Sequence, residues 1–328
     1  MTASAFATPA GTYFTCDCAD FIRARPDLQG QVQLILTSPP FPLSRRKSYG
    51  NLQGQAYVEW FASLAPLFAD LLTEDGSLVI EIGNAWEPGR PVQSLVPLQA
   101  LMAFVAHEQA QLRLCQEFIC HNPARLPSPA QWVTKEHCRV TDSFTRLWWM
   151  ARTDYPRADN RRVLRPYSPA MRRLLQRQSY NAGQRPSGHQ LSAKSFLKDH
   201  GGSIAHNVMD LPANDRLPQD MLQDFAAQLR QPQAMLEIAN TSSNDAYSQA
   251  CRAQGLRPHP ARIQPQLVGF FIEFLSVKGD LVYDPFAGSN TTGYCAELKG
   301  RRWLATDAAA EYAEHARIRA KTATVSPS

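Results

Sequence analysis

Leu281-Val282-Tyr283-Asp284-Pro285-Phe286-Ala287-Gly288-Ser289-Asn290-Thr291-Thr292-Gly293 is the stretch from which the fold of this 328-residue chain is read. Leu281 to Tyr283 reads as a strand that runs into a tight turn of small residues, and Thr291 to Leu298 continues with the spacing of a helix. Arg302 to Thr306 is the next strand, and it ends at the acidic Asp307. Strand, turn, helix and strand make a βαβ unit. Gly288 and Ser289 let a ligand approach the backbone closely, and ligands of such sheets sit at the carboxyl edge of the strands.

Asp307 lies 23 residues after Asp284, and a carboxylate there can accept both hydroxyls of a ribose. The turn is not G-x-G-x-x-G, and the chain contains no G-x-x-x-x-G-K-[ST], so a pyrophosphate cradle is not indicated. Asp284 would repel a phosphate but suits a cationic ligand with an amino group. S-adenosylmethionine carries a sulfonium and an α-ammonium and meets that requirement. An ordinary βα turn serving another cofactor is the alternative reading.

The same alternation extends outward. Thr12 to Thr15 reads as a short strand, Ala19 to Arg25 as a brief helix, and Val32 to Leu36 as a buried strand. Tyr57 to Leu72 has helical spacing, Glu74-Asp75-Gly76 marks a turn, and Ser77 to Ile82 is another buried strand. Leu95 to His107 reads as a helix, Leu112 to Ile119 as a strand, Gln266 to Ser276 as an amphipathic helix and Ala309 to Ala320 as a final helix. Strands and crossover helices in this order favour a parallel α/β sheet. After Cys120 the periodicity weakens. Arg185-Pro186-Ser187-Gly188-His189 and Gly201-Gly202-Ser203 are loop signals, and Asp210 to Tyr247 is rich in Gln, Asp and Asn, with one helix expected near Pro218 to Leu229.

Hydrophobic residues make up 44% of the chain and charged residues 19%, which fits a large folded core and excludes a disordered composition. No apolar run reaches the roughly 18 residues of a membrane span. Met1 to Ala10 has neither a basic nor a long apolar region of the secretory type, so a cytoplasmic location is expected. Seven scattered cysteines, with Cys16 and Cys18 as C-x-C, fit reduced thiols, and no metal is expected. The net charge of +5 is unevenly spread. His121 to His200 holds 15 basic against 5 acidic residues, a local net of +10, and the remainder is net −5. Such a block is either a nucleic-acid footprint or a solvated basic surface.

Thr37-Ser38-Pro39-Pro40-Phe41 follows a buried strand and belongs at the same carboxyl edge. Two prolines stiffen the chain and remove two N–H donors. An exocyclic amine on a base is a poor nucleophile because its lone pair is delocalised, and acceptors on its protons free that pair. The Ser38 hydroxyl and the Pro39 carbonyl can serve so, with Phe41 stacked on the base. A base in a duplex must be flipped out to reach such a pocket. A rigid loop with a core phenylalanine is the competing reading. Glu81 ends a strand and either orients a base or braces a turn. His121 and Asn122 border the basic block and have loop roles by default, and Trp148-Trp149 suits the core. Arg125, Lys135 and Arg139 suit phosphates, and Arg185, His189 and Lys194 suit base edges.

Together the two turns resemble those of the β-class DNA amino-methyltransferases, which carry [DNS]-P-P-[YFW] and D-P-F-x-G-S-G-T-T. Here these read Ser38 to Phe41 and Asp284 to Thr292, with Asn290 in place of the usual Gly. The order of catalytic turn, basic block and cofactor turn is the β-class order, and His259-Pro260-Ala261-Arg262 resembles the H-P-A element that closes over the cofactor. Arg45-Arg46-Lys47-Ser48-Tyr49-Gly50-Asn51, Leu126-Pro127-Ser128-Pro129 with Trp132-Val133, Trp148-Trp149, Arg185 to His189 and Gly201-Gly202-Ser203-Ile204 resemble the PvuII-type cytosine-N4 modification methyltransferases, and Asp210 to Met235 looks inserted.

The resemblance implies a Rossmann-like seven-stranded sheet with one reversed strand and a smaller basic recognition lobe. Residues 1–120 would be the catalytic part, 121–255 the target-recognition region with an insertion at 210–235, and 256–328 the S-adenosylmethionine-binding part. Ser38, Pro39, Pro40 and Phe41 would be catalytic. Asp284, Pro285, Phe286, Gly288, Ser289, Thr291, Thr292, Asp307, His259 and Pro260 would bind the cofactor. Arg45, Arg46 and Lys47 join the DNA-contact candidates. The implied substrate is a short palindrome of double-stranded DNA such as CAGCTG, modified by a monomer in a bacterial or archaeal cell, with a cognate endonuclease that does not stably associate. Ser at position 38 favours cytosine N4. Adenine N6, an RNA or a protein glutamine as acceptor, and a DNA-binding regulator with a dead site, are the alternatives.

Overall fold

The computed structural model describes residues 4–42, 52–123, 125–180, 183–184, 186–188, 190–191, 197–210, 246–256 and 263–324. Its strands are β1 (Ser4–Ala7), β2 (Gly11–Thr15), β3 (Val32–Thr37), β4 (Leu72–Gly83), β5 (Arg113–His121), β6 (Phe144–Ala151), β7 (Gly183–Gln184), β8 (Gln190–Leu191), β9 (Val208–Asp210), β10 (Leu281–Asp284) and β11 (Arg302–Asp307). The helices are α1 (Cys18–Arg23), α2 (Gly54–Leu71), α3 (Val96–Val105), α4 (Pro169–Arg177), α5 (Ala246–Ala253), α6 (Pro265–Leu275), α7 (Thr291–Leu298) and α8 (Glu311–Thr324).

One sheet runs β1-β2-β11-β10-β3-β4-β6-β5-β9, and β7 and β8 form a separate ribbon. Strands β2, β11, β10, β3 and β4 are parallel. Strand β6 lies antiparallel between β4 and β5. The seven strands from β2 to β5 with β6 reversed are the arrangement that the resemblance implies. The sheet is wider by two edge strands, antiparallel β1 and parallel β9. Every residue of β3 is buried, as expected of a central strand covered on both faces. Helices α1, α2 and α3 pack on one face, around Phe61, Phe68 and Phe104. Helices α6, α7 and α8 pack on the other, around Phe271, Cys295 and Ala316.

Two expectations need correction. Glu74-Asp75-Gly76 lies within β4 instead of separating it from a helix. The β3 register moves from Val32↔Leu72 to Leu34↔Ser77, so the intervening residues bulge. Buried Gln33 closes that bulge. Its Nε2 donates to the Asp75 carbonyl at 3.3 Å and its Oε1 accepts from Thr73 Oγ1 at 3.0 Å. The second correction concerns the boundary at residue 120. Strand β6, from the middle of the chain, lies inside the main sheet and holds it together. Trp148 and Trp149 point to opposite faces, as neighbours on a strand must. Their indole N–H groups donate to Glu117 Oε1 at 3.2 Å and Ser77 Oγ at 3.0 Å. Both tryptophans are therefore core. The helix expected near Pro218 to Leu229, and all but the first residue of the 210–235 segment, lie outside the described residues.

Candidate active site

The chain leaves β10 through α7 to β11 on one side, and leaves β3 through α2 to β4 on the other. Crossovers that diverge from adjacent parallel strands open a crevice at their carboxyl ends. Asp284 closes β10 there, and Ser38 follows β3. Thr37 Oγ1 donates to Asp284 Oδ1 at 2.7 Å, so one hydrogen bond joins the two turns across 247 residues of sequence.

Asp284 is 3% exposed. It also accepts from the Phe286 N–H at 3.1 Å and from the Thr292 side chain. Burial still outweighs these bonds and lifts its pKa to about 6. Asp307 ends β11 and accepts from the Gly288 N–H at 2.8 Å and the Ala309 N–H at 2.9 Å, and burial raises its pKa as well. Among the described residues no basic side chain pairs with either carboxylate. Two desolvated carboxylates at one edge without a counter-cation suit a positively charged nucleoside, so the residues present fit S-adenosylmethionine.

The turn itself is tied down at successive peptides. The Ala287 N–H donates to the Thr306 carbonyl at 3.0 Å, Tyr13 OH donates to the Gly288 carbonyl at 3.0 Å, and Thr306 Oγ1 donates to the Pro285 carbonyl at 3.0 Å. Gly288 has φ +49° and Asn290 φ +57°. Asn is among the non-glycine residues that best tolerate the left-handed region, which explains how it replaces the usual Gly. Its amide packs where a Cβ on Gly293 would overlap it. Thr291 and Thr292 are both buried, and Thr292 Oγ1 lies 3.4 Å from the Leu36 carbonyl while its proton goes to Asp284, so the start of α7 packs against the sheet. Ser289 offers its carbonyl and hydroxyl to Arg319. Phe286 stays partly exposed and meets Trp60 of α2 edge-on at 5.8 Å.

On the other side of the crevice, Ser38 is hydrogen-bonded to the Glu81 carboxylate, which also accepts from Thr145 Oγ1 at 3.0 Å. Burial raises the Glu81 pKa, while these two bonds and the Arg125 guanidinium oppose the rise. The Phe41 ring rests on Gly83 at the end of β4, where a Cβ would lie 2.7 Å from its Cε2. Pro39 is buried, and Pro40 is partly so.

Of the other expected residues, Arg125 lies beside Glu81 with Nη1 donating to the Phe144 carbonyl at 3.1 Å, and Lys135 and Arg139 are exposed. His121 ends β5 partly buried, and Asn122 is buried with its N–H donating to the Ser143 carbonyl at 2.7 Å. Arg45, Arg46, Lys47, Arg185, His189, Lys194, His259 and Pro260 lie outside the described residues. Sequence reasoning missed Thr145, Tyr13, Trp60 and Arg319. Thr145 becomes visible only once β6 is known to pair with β4. Arg319 carried one signal, a basic residue on the buried side of the last helix. Among the described residues no group of three or more His, Cys, Asp or Glu side chains could hold a metal, and no helix is long and apolar enough to cross a membrane.

Comparison with known proteins covers the same ground. The N6_N4_Mtase family model, described as DNA methylase, matches residues 32–317. The type II methyltransferase M.PvuII of Proteus hauseri is 36% identical over 310 residues, covering 94% of this chain and 83% of that protein. A solved structure of PvuII DNA methyltransferase (cytosine-N4-specific) aligns with a TM-score of 0.69 and 29% identity, over 97% of this chain and 89% of its own. A putative DNA modification methylase of Thermus thermophilus, complexed with S-adenosyl-L-methionine, aligns with a TM-score of 0.51 at 17% identity over 95% and 94% of the two chains, a likeness of fold alone. A family match that takes in both turns and nearly every strand between them makes this chain a member of the N6/N4 family of DNA methylases.

Proposed function

We propose that this protein transfers a methyl group from S-adenosyl-L-methionine to N4 of cytosine in a short palindromic site of double-stranded DNA, as the modification enzyme of a restriction-modification system. The observation that carries the reading is the crevice itself, where Ser38 is held by Glu81 and the preceding Thr37 is hydrogen-bonded to Asp284. The likeness to a solved enzyme described as cytosine-N4-specific supports the choice of acceptor.

When bound, S-adenosylmethionine supplies an electrophilic methyl carbon on a cationic sulfur. Asp284 and Asp307 would hold it, the first facing its positive charge and the second its ribose, with Phe286 and the Gly288 backbone lining the approach. The Ser38 hydroxyl donates its proton to Glu81, which leaves its lone pairs free to accept a proton of the cytosine amine. The Pro39 carbonyl accepts the other. With both protons engaged, the nitrogen lone pair is drawn out of conjugation and can form the new N–C bond. The proton that the nitrogen then sheds passes to Ser38 as Ser38 passes its own to Glu81, and no covalent enzyme intermediate is needed. Phe41, braced by Gly83, gives the flipped base a stacking surface, which offsets part of the few kcal/mol that unstacking costs.

Residues 1–120 and 256–328 supply the crevice, joined by β6 from the middle of the chain. The rest of 121–255 reads the DNA, and the exposure of Lys135 and Arg139 supports a role for them in phosphate contact. The enzyme works as a monomer in the cytoplasm, and a cognate endonuclease cuts the same site without binding it stably. Labelled methyl transfer onto a panel of duplexes, with CAGCTG and other short palindromes among them, tests the reading. Label confined to one palindromic site supports it, and label on every duplex, on single strands only, or on none contradicts it.

A further inference from the structure

Arg319 lies on α8, 5% exposed, far along the chain from any motif. Its Nε donates to the Ser289 carbonyl at 2.9 Å and its Nη2 to Ser289 Oγ at 3.2 Å. Ser289 is itself 2% exposed. Its carbonyl and hydroxyl are thus matched by a two-pronged donor whose planar fork fixes their direction. The guanidinium is in turn held from outside. Its carbon lies 4.1 Å from the centre of the Tyr247 ring on α5 and 6.0 Å from that of Tyr294 on α7. Tyr247 OH meets His315 Nδ1 at 3.2 Å, and Cys251 Sγ lies 3.8 Å from the same nitrogen, so α5 is pinned to α8 one turn before Arg319.

The neighbouring peptides of the turn already have partners on other elements. Ala287 is held by Thr306 and Gly288 by Asp307 and Tyr13, from β11 and β2. Ser289 is the next residue in line, directly before the left-handed Asn290 that starts α7. Among the described residues its anchor comes from the stack of α8 and α5.

We infer that Arg319, held by Tyr247, is a positioning residue that sets the geometry of the Asp284 to Asn290 turn and thereby the affinity for S-adenosylmethionine. It acts through Ser289 and touches neither the cofactor nor the base. This inference rests on the proposed use of that turn for S-adenosylmethionine. If Arg319 is lost, Ser289 keeps two buried polar groups stripped of their charged donor, and the turn relaxes at the residue next to Gly288. The defect belongs to cofactor binding and leaves the Ser38–Glu81 side and the DNA contacts intact.

The test compares the full-length protein with Arg319→Met, Arg319→Lys and Tyr247→Phe. Calorimetry gives the Kd for S-adenosylmethionine, steady-state assays give KM and kcat, and thermal unfolding controls for the fold. Arg319→Met should raise the Kd and KM for S-adenosylmethionine about tenfold or more, with kcat at saturating cofactor and Kd for DNA within about twofold. Arg319→Lys keeps the charge over Tyr247 but loses the fork, and should raise the Kd by about threefold to tenfold. Tyr247→Phe keeps the ring over Arg319 but loses the hydroxyl that meets His315, and should raise the Kd by less than either Arg319 variant. An unchanged cofactor Kd in both Arg319 variants overturns the inference, and so does an equal loss of cofactor binding, kcat and DNA binding in Arg319→Lys, the variant expected to fold. Wild-type protein that binds no S-adenosylmethionine overturns the functional reading and this inference together, whereas a wild type that binds it and an Arg319→Met that binds it equally well overturns this inference alone.

Discussion

Asp284 is the residue whose chemistry is set most sharply by its place in the fold. The free side chain titrates near 4, and burial at the end of β10 raises it to about 6. Between those values the folded protein holds a proton that the unfolded chain has lost. The Asp284 contribution to stability is therefore greatest below pH 4 and is lost as pH rises through 6. Cofactor binding runs the other way, because a cation requires the ionised carboxylate. The Kd for S-adenosylmethionine should be nearly flat from pH 7.5 to 7 and rise about tenfold per unit as pH falls below 6, and Asp284→Asn should bind weakly with a shallower dependence. Titration calorimetry across pH 5 to 7.5 checks this, and a wild-type Kd that stays constant to pH 5 contradicts it. Asp307, also raised by burial, can only steepen the slope.

Strand β6 decides whether the crevice exists at the scale of elements. It carries Thr145 beside Glu81 and buries Leu147 completely between the sheet and α6. Leu147→Ala should cost about 2–5 kcal/mol in urea unfolding, and a loss under 1 kcal/mol would mean that β6 is not part of the core. The elements legible in the sequence are those with one dominant local signal. Leu281 to Tyr283 is an unbroken apolar run, Val32 to Leu36 is one interrupted only by Gln33, and Thr291 to Leu298 starts just after a turn that ends in a left-handed Asn290. Strand β6 is not legible, because Phe144-Thr-Arg-Leu-Trp-Trp follows a proline- and arginine-rich stretch and two adjacent tryptophans serve a strand buried on both faces as well as a surface. The bulge at Glu74 to Gly76 reads as a turn because its closure depends on Gln33, a residue far away in sequence. Likewise Ser38 and Asp284 are each legible as chemistry, and Glu81 as a carboxylate at a strand end. The bonds Thr37–Asp284 and Ser38–Glu81 depend on which strands are neighbours, and no local pattern encodes that.

At the scale of the whole molecule the charge is unevenly spread. The region from His121 to His200 carries a net +10, while the remainder, which includes the carboxylates of the crevice, is net negative. On the proposed reading, DNA is drawn to the basic block and the cationic cofactor to the carboxylates of the crevice, and Arg125 of the block meets Glu81 where the two adjoin. On the same reading, Ser38 presents the N4 amine of cytosine to a methyl donor held on the Asp284 side. The most direct measurement is mass spectrometry of nucleosides from duplex DNA treated with wild-type protein and with Ser38→Ala, with cofactor Kd measured on both. Wild type should yield N4-methylcytosine and no N6-methyladenine, and Ser38→Ala should yield at least about a hundredfold less while binding S-adenosylmethionine as tightly. N6-methyladenine from the wild type, or N4-methylcytosine formed equally fast by Ser38→Ala, would rule out this role of Ser38.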